Sequence, residues 1–162
     1  MTDFGFSCFE CTDNELVRVA RSRPWEAPEW HDRWFHLKDI KKMDVYSFGL
    51  LCLWILFPED NLVDPDSIEV NISLAFSGSD ETALERLYVL KRKDTLKESA
   101  LRLISQKIDL NENVCLRLQR VFSLSLAKNA EKRAYDMQTF VDLLCSDDNL
   151  EYVAVDYGGL YY

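Results

Sequence analysis

From Val45 to Phe57 the chain is apolar at every position except Ser47 and Gly49. A bilayer span needs roughly 20 apolar residues, so this run predicts a core helix and not a membrane segment. Asp44 is placed to cap its start and Pro58 to end it, giving a central helix over 44–57. A helix apolar on every face belongs in the middle of a domain. Three amphipathic stretches follow. Between Asp80 and Lys93, Ala83, Leu84, Leu87 and Leu90 share one face. Thr95-x-x-Glu98 reads as a capping box before Leu96, Ala100, Leu103 and Ile104, and Asp109-x-x-Glu112 as another before Val114, Leu118, Val121, Phe122 and Leu126. A last helix is predicted over 136–145, with Met137, Phe140, Val141 and Leu144 inward.

Residues 3–29 show neither helical nor strand periodicity and read as a long ordered loop with a turn at 11–15. Within it, Leu16-Val17-Arg18-Val19-Ala20 is short and apolar enough for a small strand, while Pro24 and Pro28 stop any helix. Residues 58–79, with Pro58, Pro65, Gly78 and several Asp, Asn and Ser, predict an irregular connection. The fold class is therefore mainly α, with helices filling 80–146.

Composition narrows the class. The 162 residues are 48% hydrophobic and 29% charged, as in a globular protein with one core. A net charge of -9 and a pI near 4.7 disfavour nucleic acid and anionic membrane as partners. No Lys or Arg follows Arg133, so 147–162 is expected to be an acidic, solvated tail. Cys8, Cys11, Cys52, Cys115 and Cys145 are scattered and odd in number, and Met1-Thr2-Asp3 leads into a motif with no signal peptide before it. Reduced thiols in a cytoplasmic or nuclear protein, not a secreted one, are expected. The sequon Asn71-Ile72-Ser73 then carries no meaning.

Four short motifs stand in order: Asp3-Phe4-Gly5, Ala27-Pro28-Glu29, Asp44-Val45-Tyr46-Ser47-Phe48-Gly49 at the head of the apolar helix, and Asn129-Ala130-Glu131-Lys132-Arg133-Ala134 between two helices. Each alone is weak. Together, over residues 3 to 146, their order and spacing resemble the C-terminal lobe of a eukaryotic-type protein kinase catalytic domain, from the DFG motif to the final helix.

The resemblance implies roles. Asp3 matches the aspartate that holds Mg²⁺ bridging the phosphates of ATP, and Phe4 the phenylalanine whose packing separates active from inactive states. Residues 3–29 become the activation segment. In it Ser22 stands for the usual Thr and Trp25 for the usual Tyr, shaping the floor of a protein-substrate site, while Arg21 replaces the usual Gly, a departure that bears on the local backbone and substrate fit. Glu29 pairs in the family with the Arg before the last helix, here Arg133, which Ala134 follows in place of Pro. Asp44 matches the residue that anchors the catalytic-loop backbone. The helix matching 45–57 is wrapped in the family by a preceding helix and that loop, so an exposed apolar patch is expected without them.

A Gly-rich loop, a strand Lys with its helix Glu, and an H-R-D-x-x-x-x-N stretch are absent from these residues. Phosphoryl transfer depends on positioning and electrostatics, so the chain as it stands is expected to bind neither ATP nor Mg²⁺ and to transfer no phosphoryl group. Its partner is expected to be a protein, as substrate or as bound neighbour. Specificity for Ser/Thr over Tyr is only the commoner case in the family, since the deciding residues follow the missing catalytic Asp.

Other features have a sharp and a plain reading. Cys8-x-x-Cys11 with His31-x-x-x-x-His36 has the residue types of a zinc site, but the pairs are too far apart, and incidental thiols are expected. Ser7, Thr12 and Ser22 are either phosphate acceptors beside Arg18, Arg21 and Arg23, or ordinary loop hydroxyls. Lys91-Arg92-Lys93 reads as a solvated helix end.

Overall fold

The computed structural model describes residues 15–30, 34–107 and 109–145. Among them are six α-helices and two small antiparallel sheets, so the fold is mainly α as expected. Asp3, Phe4, Gly5, Cys8, Cys11, His31 and the acidic tail lie outside the described residues.

β1 (Leu16–Arg18) pairs with β2 (Trp34–His36), with Val17 opposite Phe35, so the expected small strand is present. From β2 the chain passes directly into α1 (Leu37–Leu56), whose N-cap is His36 in extended conformation with no side-chain bond. The helix thus starts two turns before the expected cap, and Asp44 lies inside it. The reason is local: residues 37–43 hold no Gly or Pro, and Ile40 and Met43 fall on the same stripe as Tyr46 and Leu50. Asp39 suits the first turn. Phe57 ends the helix just before Pro58.

Residues 58–79 are ordered, contrary to the expected irregular connection. β3 (Asn61–Val63) and β4 (Glu69–Asn71) form a hairpin in which Leu62 faces Val70, each the one buried residue of its strand. Asp64 closes its turn by accepting Ile68 N at 2.6 Å, with Ser67 at positive φ. Asn71 then caps α2 (Ile72–Ser77), which Gly78 ends in the left-handed region. The turn-rich composition is real; period-two burial over only three residues was too short to read.

α3 (Glu81–Lys93) follows its prediction, with Asp80 capping Thr82 N and Ala83 N. α4 (Leu96–Ser105) lacks the expected capping box. Thr95 is helical in backbone and makes no side-chain cap, because left-handed Asp94 turns the chain from α3 into α4 in one step. α5 (Glu112–Ser125) is capped by Asn111, which accepts Asn113 N, and not by Asp109. Ala130–Lys132 form one 3₁₀ turn. α6 (Gln138–Cys145) buries Phe140 and Leu143; Met137, Val141 and Leu144, expected inward, are exposed. Contact of Phe140 with Phe48, centroids 5.0 Å apart, sets that rotation.

The core gathers Tyr46, Leu50 and Leu53 of α1 with Leu87, Leu90, Leu96, Ile104, Phe122 and Phe140. Gly49 lets α1 and α5 touch: a Cβ there would lie 2.2 Å from Ser125 Oγ and 2.8 Å from Leu126 Cδ2. Only one face of α1 is buried. Leu51, Trp54, Ile55 and Leu56 on the other are exposed, Ile55 by 59% and Leu56 by 48%. Among the described residues no helix is long and apolar enough to cross a membrane.

Candidate functional site

The loop between β1 and β2 runs across the helices and is fastened to them by side chains distant in sequence. Ser22 begins a tight turn, its carbonyl accepting Trp25 N at 2.7 Å and Glu26 N at 3.1 Å. Trp25 packs against Phe76, 4.8 Å between centroids, and edge-on against Trp54 at 5.6 Å. Its carbonyl accepts Ser47 Oγ of α1 at 2.8 Å. Ala27 is buried, and Trp30 N bonds back to Ala27 O.

Glu29 and Arg133, 104 residues apart, meet in a two-pronged ion pair: Nη1 to Oε1 at 2.6 Å and Nη2 to Oε2 at 2.8 Å. The planar fork of Arg suits a carboxylate held this way. Its remaining donors reach carbonyls, Nε to Ala127 at 2.7 Å, Nη1 to Lys42 at 3.0 Å and Nη2 to Lys128 at 2.9 Å. All five N–H groups of the guanidinium are thereby satisfied. Its carbon lies 4.6 Å from the centroid of the Tyr46 ring, and Lys42 Nζ returns a bond to Arg133 O. The Arg133 side chain is fully buried, while Glu29 keeps 32% exposure. Ala134, where the resemblance has Pro, uses its N–H to reach Leu124 O at 2.8 Å, a bond Pro lacks.

Asp44 stands apart. It lies on the solvent side of α1, with no hydrogen bond or ion pair among the described residues, beside Ser22, Trp25 and Trp30 at a cavity of about 120 Å³. Desolvation by these neighbours raises its carboxyl above the ordinary value. The Nε1 of Trp30 is buried and has no acceptor among the described residues.

Arg21, where the resemblance expects Gly, needs no left-handed backbone, since Ser67 and Asp94 are the positive-φ non-glycine residues described. It binds both oxygens of Glu26, at 3.0 and 3.1 Å, and stacks over Trp30. Burial works against the Glu26 carboxylate, but bonds from Arg21 and Tyr88 hold it below its ordinary pKa. Burial and Glu26 together push Tyr88 up to about 12. Arg21 is engaged by Glu26 of the same loop, and Arg23 lies over the Tyr88 ring of α3.

Lys91 corrects the solvated-end reading of 91–93. It is 2% exposed, and its Nζ donates to Pro24 O and to Glu26 O, the latter at 2.9 Å. Desolvation lowers its pKa to about 7. The helical stripe 84, 87, 91 was the signal in the sequence, overridden there by the neighbouring Arg92 and Lys93. Ser47 stands in the 44–49 motif with no partner assigned, and Lys42 falls before the expected 44–57 helix, so neither contact was legible in the sequence.

Among the described residues no three His, Cys, Asp or Glu side chains gather as for a metal ion. His36 ends β2; its candidate zinc partners lie outside the described residues, as does Asp3, the candidate Mg²⁺ ligand. Cys52, Cys115 and Cys145 are free, and burial pushes the Cys52 thiol up to about 11, which makes it a poor nucleophile. No protein-family model matches the chain, and neither a curated protein nor a solved structure matches it.

Proposed function

We propose that these residues form the helical lobe of a protein-kinase-type domain, carrying its activation segment, and that the chain by itself transfers no phosphoryl group. The carrying observation is the Glu29–Arg133 pair. The four motifs assign a mutual bond to two residues that local structure gives no reason to join. Their side chains meet in the bidentate geometry which that assignment requires.

Two further features support the reading. Asp44, whose family counterpart holds the catalytic-loop backbone, is desolvated and has no hydrogen-bond partner among the described residues. The face of α1 that the family covers with a helix and that loop is exposed at Leu51, Trp54, Ile55 and Leu56. Within the proposal the 22–26 turn, with Ser22 and Trp25, is the floor on which a protein substrate lies. ATP and Mg²⁺ belong to the parent activity, phosphoryl transfer to protein Ser/Thr. In the parent domain the metal neutralises developing phosphate charge, and here Asp3 is the one residue matched to holding it.

The exposed α1 face also favours a second reading, a pseudokinase-like module that binds another protein through its apolar surface and has no catalytic role.

Calorimetry with ATP·Mg²⁺ on the 162-residue chain is expected to show no binding, and a micromolar dissociation constant overturns the inactive assignment. The coding DNA upstream of Met1 separates the two readings. An in-frame H-R-D stretch and Gly-rich loop, with phosphotransfer by the extended protein that Asp3→Ala abolishes, supports the kinase lobe. Their absence supports the interaction module.

A further inference from the structure

Lys91 is the one buried lysine of the described chain whose ammonium has no carboxylate in hydrogen-bond contact. It ties α3 to the 22–26 turn through two main-chain carbonyls, those of Pro24 and Glu26. The carboxylate of Glu26 turns away to Arg21 and to the Tyr88 hydroxyl, 2.9 Å off. Around the Nζ stand the Tyr88 ring of α3 at 5.2 Å and the Tyr46 ring of α1 at 5.8 Å. Arg23 lies over Tyr88 and Arg133 over Tyr46. The titratable and charged groups around Lys91 are therefore Arg21, Arg23 and Glu26 from the loop, Tyr88 from its own helix, Tyr46 from α1 and, acting on that ring, Arg133 with its partner Glu29, and Asp94.

A charged amine in this place loses its water and gains carbonyl dipoles, two rings and one carboxylate already shared with Arg21. We propose that Lys91 is a proton-linked clasp on the 22–26 turn, so that proton uptake favours release of the turn from α3. The clasp stands on the geometry of the turn and does not depend on a phosphotransferase function. Where that function holds, the clasp sets how firmly the floor of the protein-substrate site is fixed.

The direction follows from linkage. With the turn docked, the amine's pKa is lowered to about 7; released into water, it returns toward the ordinary 10.5. Between those values the released form holds more protons, so each unit fall in pH raises the released fraction up to about tenfold. Below about 7 both forms are charged and the fraction levels off.

The test is NMR of the full chain at graded pH, with ¹³Cε-labelled lysine and fluorotryptophan, the Trp25 signal assigned by Trp25→Phe. One lysine Cε resonance is expected to titrate near neutral pH. The exchange contribution at Trp25, which follows the released population, is expected to fall as pH rises above 7 and to stay constant below it. In Lys91→Met the pH dependence at Trp25 is expected to vanish. Titration of every lysine near its ordinary value overturns the proposal on the unaltered protein alone, whether or not Lys91→Met folds. So does an unchanged pH profile at Trp25 in Lys91→Met. Neither outcome bears on nucleotide binding, so the clasp and the kinase-lobe reading fail separately.

Discussion

Arg133 is a fully buried charge and Asp44 a partly desolvated one on the solvent side of α1, and their surroundings treat them in opposite ways. Arg133 finds an acceptor for each of its five N–H groups, so its burial leaves nothing unpaired. Asp44 is desolvated on α1 and compensated by no hydrogen bond among the described residues. An acid whose folded pKa lies above its unfolded value of 3.8 destabilises the fold wherever it is ionised in both states. That penalty is full at neutral pH, shrinks as pH falls through the raised folded value, and is gone below 3.8. Asp44→Asn is therefore expected to raise the melting temperature at pH 7, by an amount that fades as the pH is lowered toward 4. Calorimetric melts across that range check it; a lower melting temperature for the variant at pH 7 contradicts it. The motif match named both residues from the sequence. It did not indicate that one would be satisfied and the other not, because the three carbonyls around Arg133 belong to α1 and to the approach to the 3₁₀ turn.

Helix interiors were legible and helix ends were not. Leu84, Leu87 and Leu90 of α3 and Ala100, Leu103 and Ile104 of α4 are buried as their spacing predicts, because a 3.6-residue repeat survives any packing of the helix. Caps failed where tertiary geometry set the backbone of the capping residue, as at Thr95, or where a nearer side chain did the task, as Asn111 does in place of Asp109. α6 shows the same limit for orientation: Phe140 against Phe48 decides the rotation, and no pattern within the helix reveals it. Close approach of two helices leaves a clearer trace, a glycine in an apolar helix. At Gly49 an added methyl meets Ser125, whose hydroxyl is held on Val121 O at 2.7 Å, so the neighbour cannot simply swing aside. Gly49→Ala gains helix propensity but overpacks the α1–α5 contact, and a net loss of about 1–3 kcal/mol is expected by urea denaturation. Unchanged or higher stability shows that α5 yields at no cost.

Across the whole molecule, the 15–30 segment is held by the β1–β2 pairing and by side chains of the helical part: Ser47 on Trp25, Lys91 on Pro24 and Glu26, Tyr88 on Glu26, and Arg133 on Glu29. They reach α1, α3 and the turn before α6, so the segment is tied to three separate parts of the helical core. The uncovered side of α1 belongs to this scale too, since its Trp54 steadies Trp25 from the same face that Ile55 and Leu56 leave open. The most direct test of this architecture is the double-mutant cycle of Glu29→Gln and Arg133→Met in the full chain, followed by denaturant unfolding. Glu29→Gln leaves the fully buried guanidinium without its counter-charge and is expected to cost about 3–5 kcal/mol. Arg133→Met strands a carboxylate still 32% open to water, together with three carbonyls that lose their donor. If the two side chains act as one bond across a sequence separation of 104, the double variant loses less than the sum of the single losses, with a coupling of about 0.5–3 kcal/mol. Additive losses mean that Glu29 and Arg133 do not act as a pair, and that the segment is not tied to the last helices in the way described.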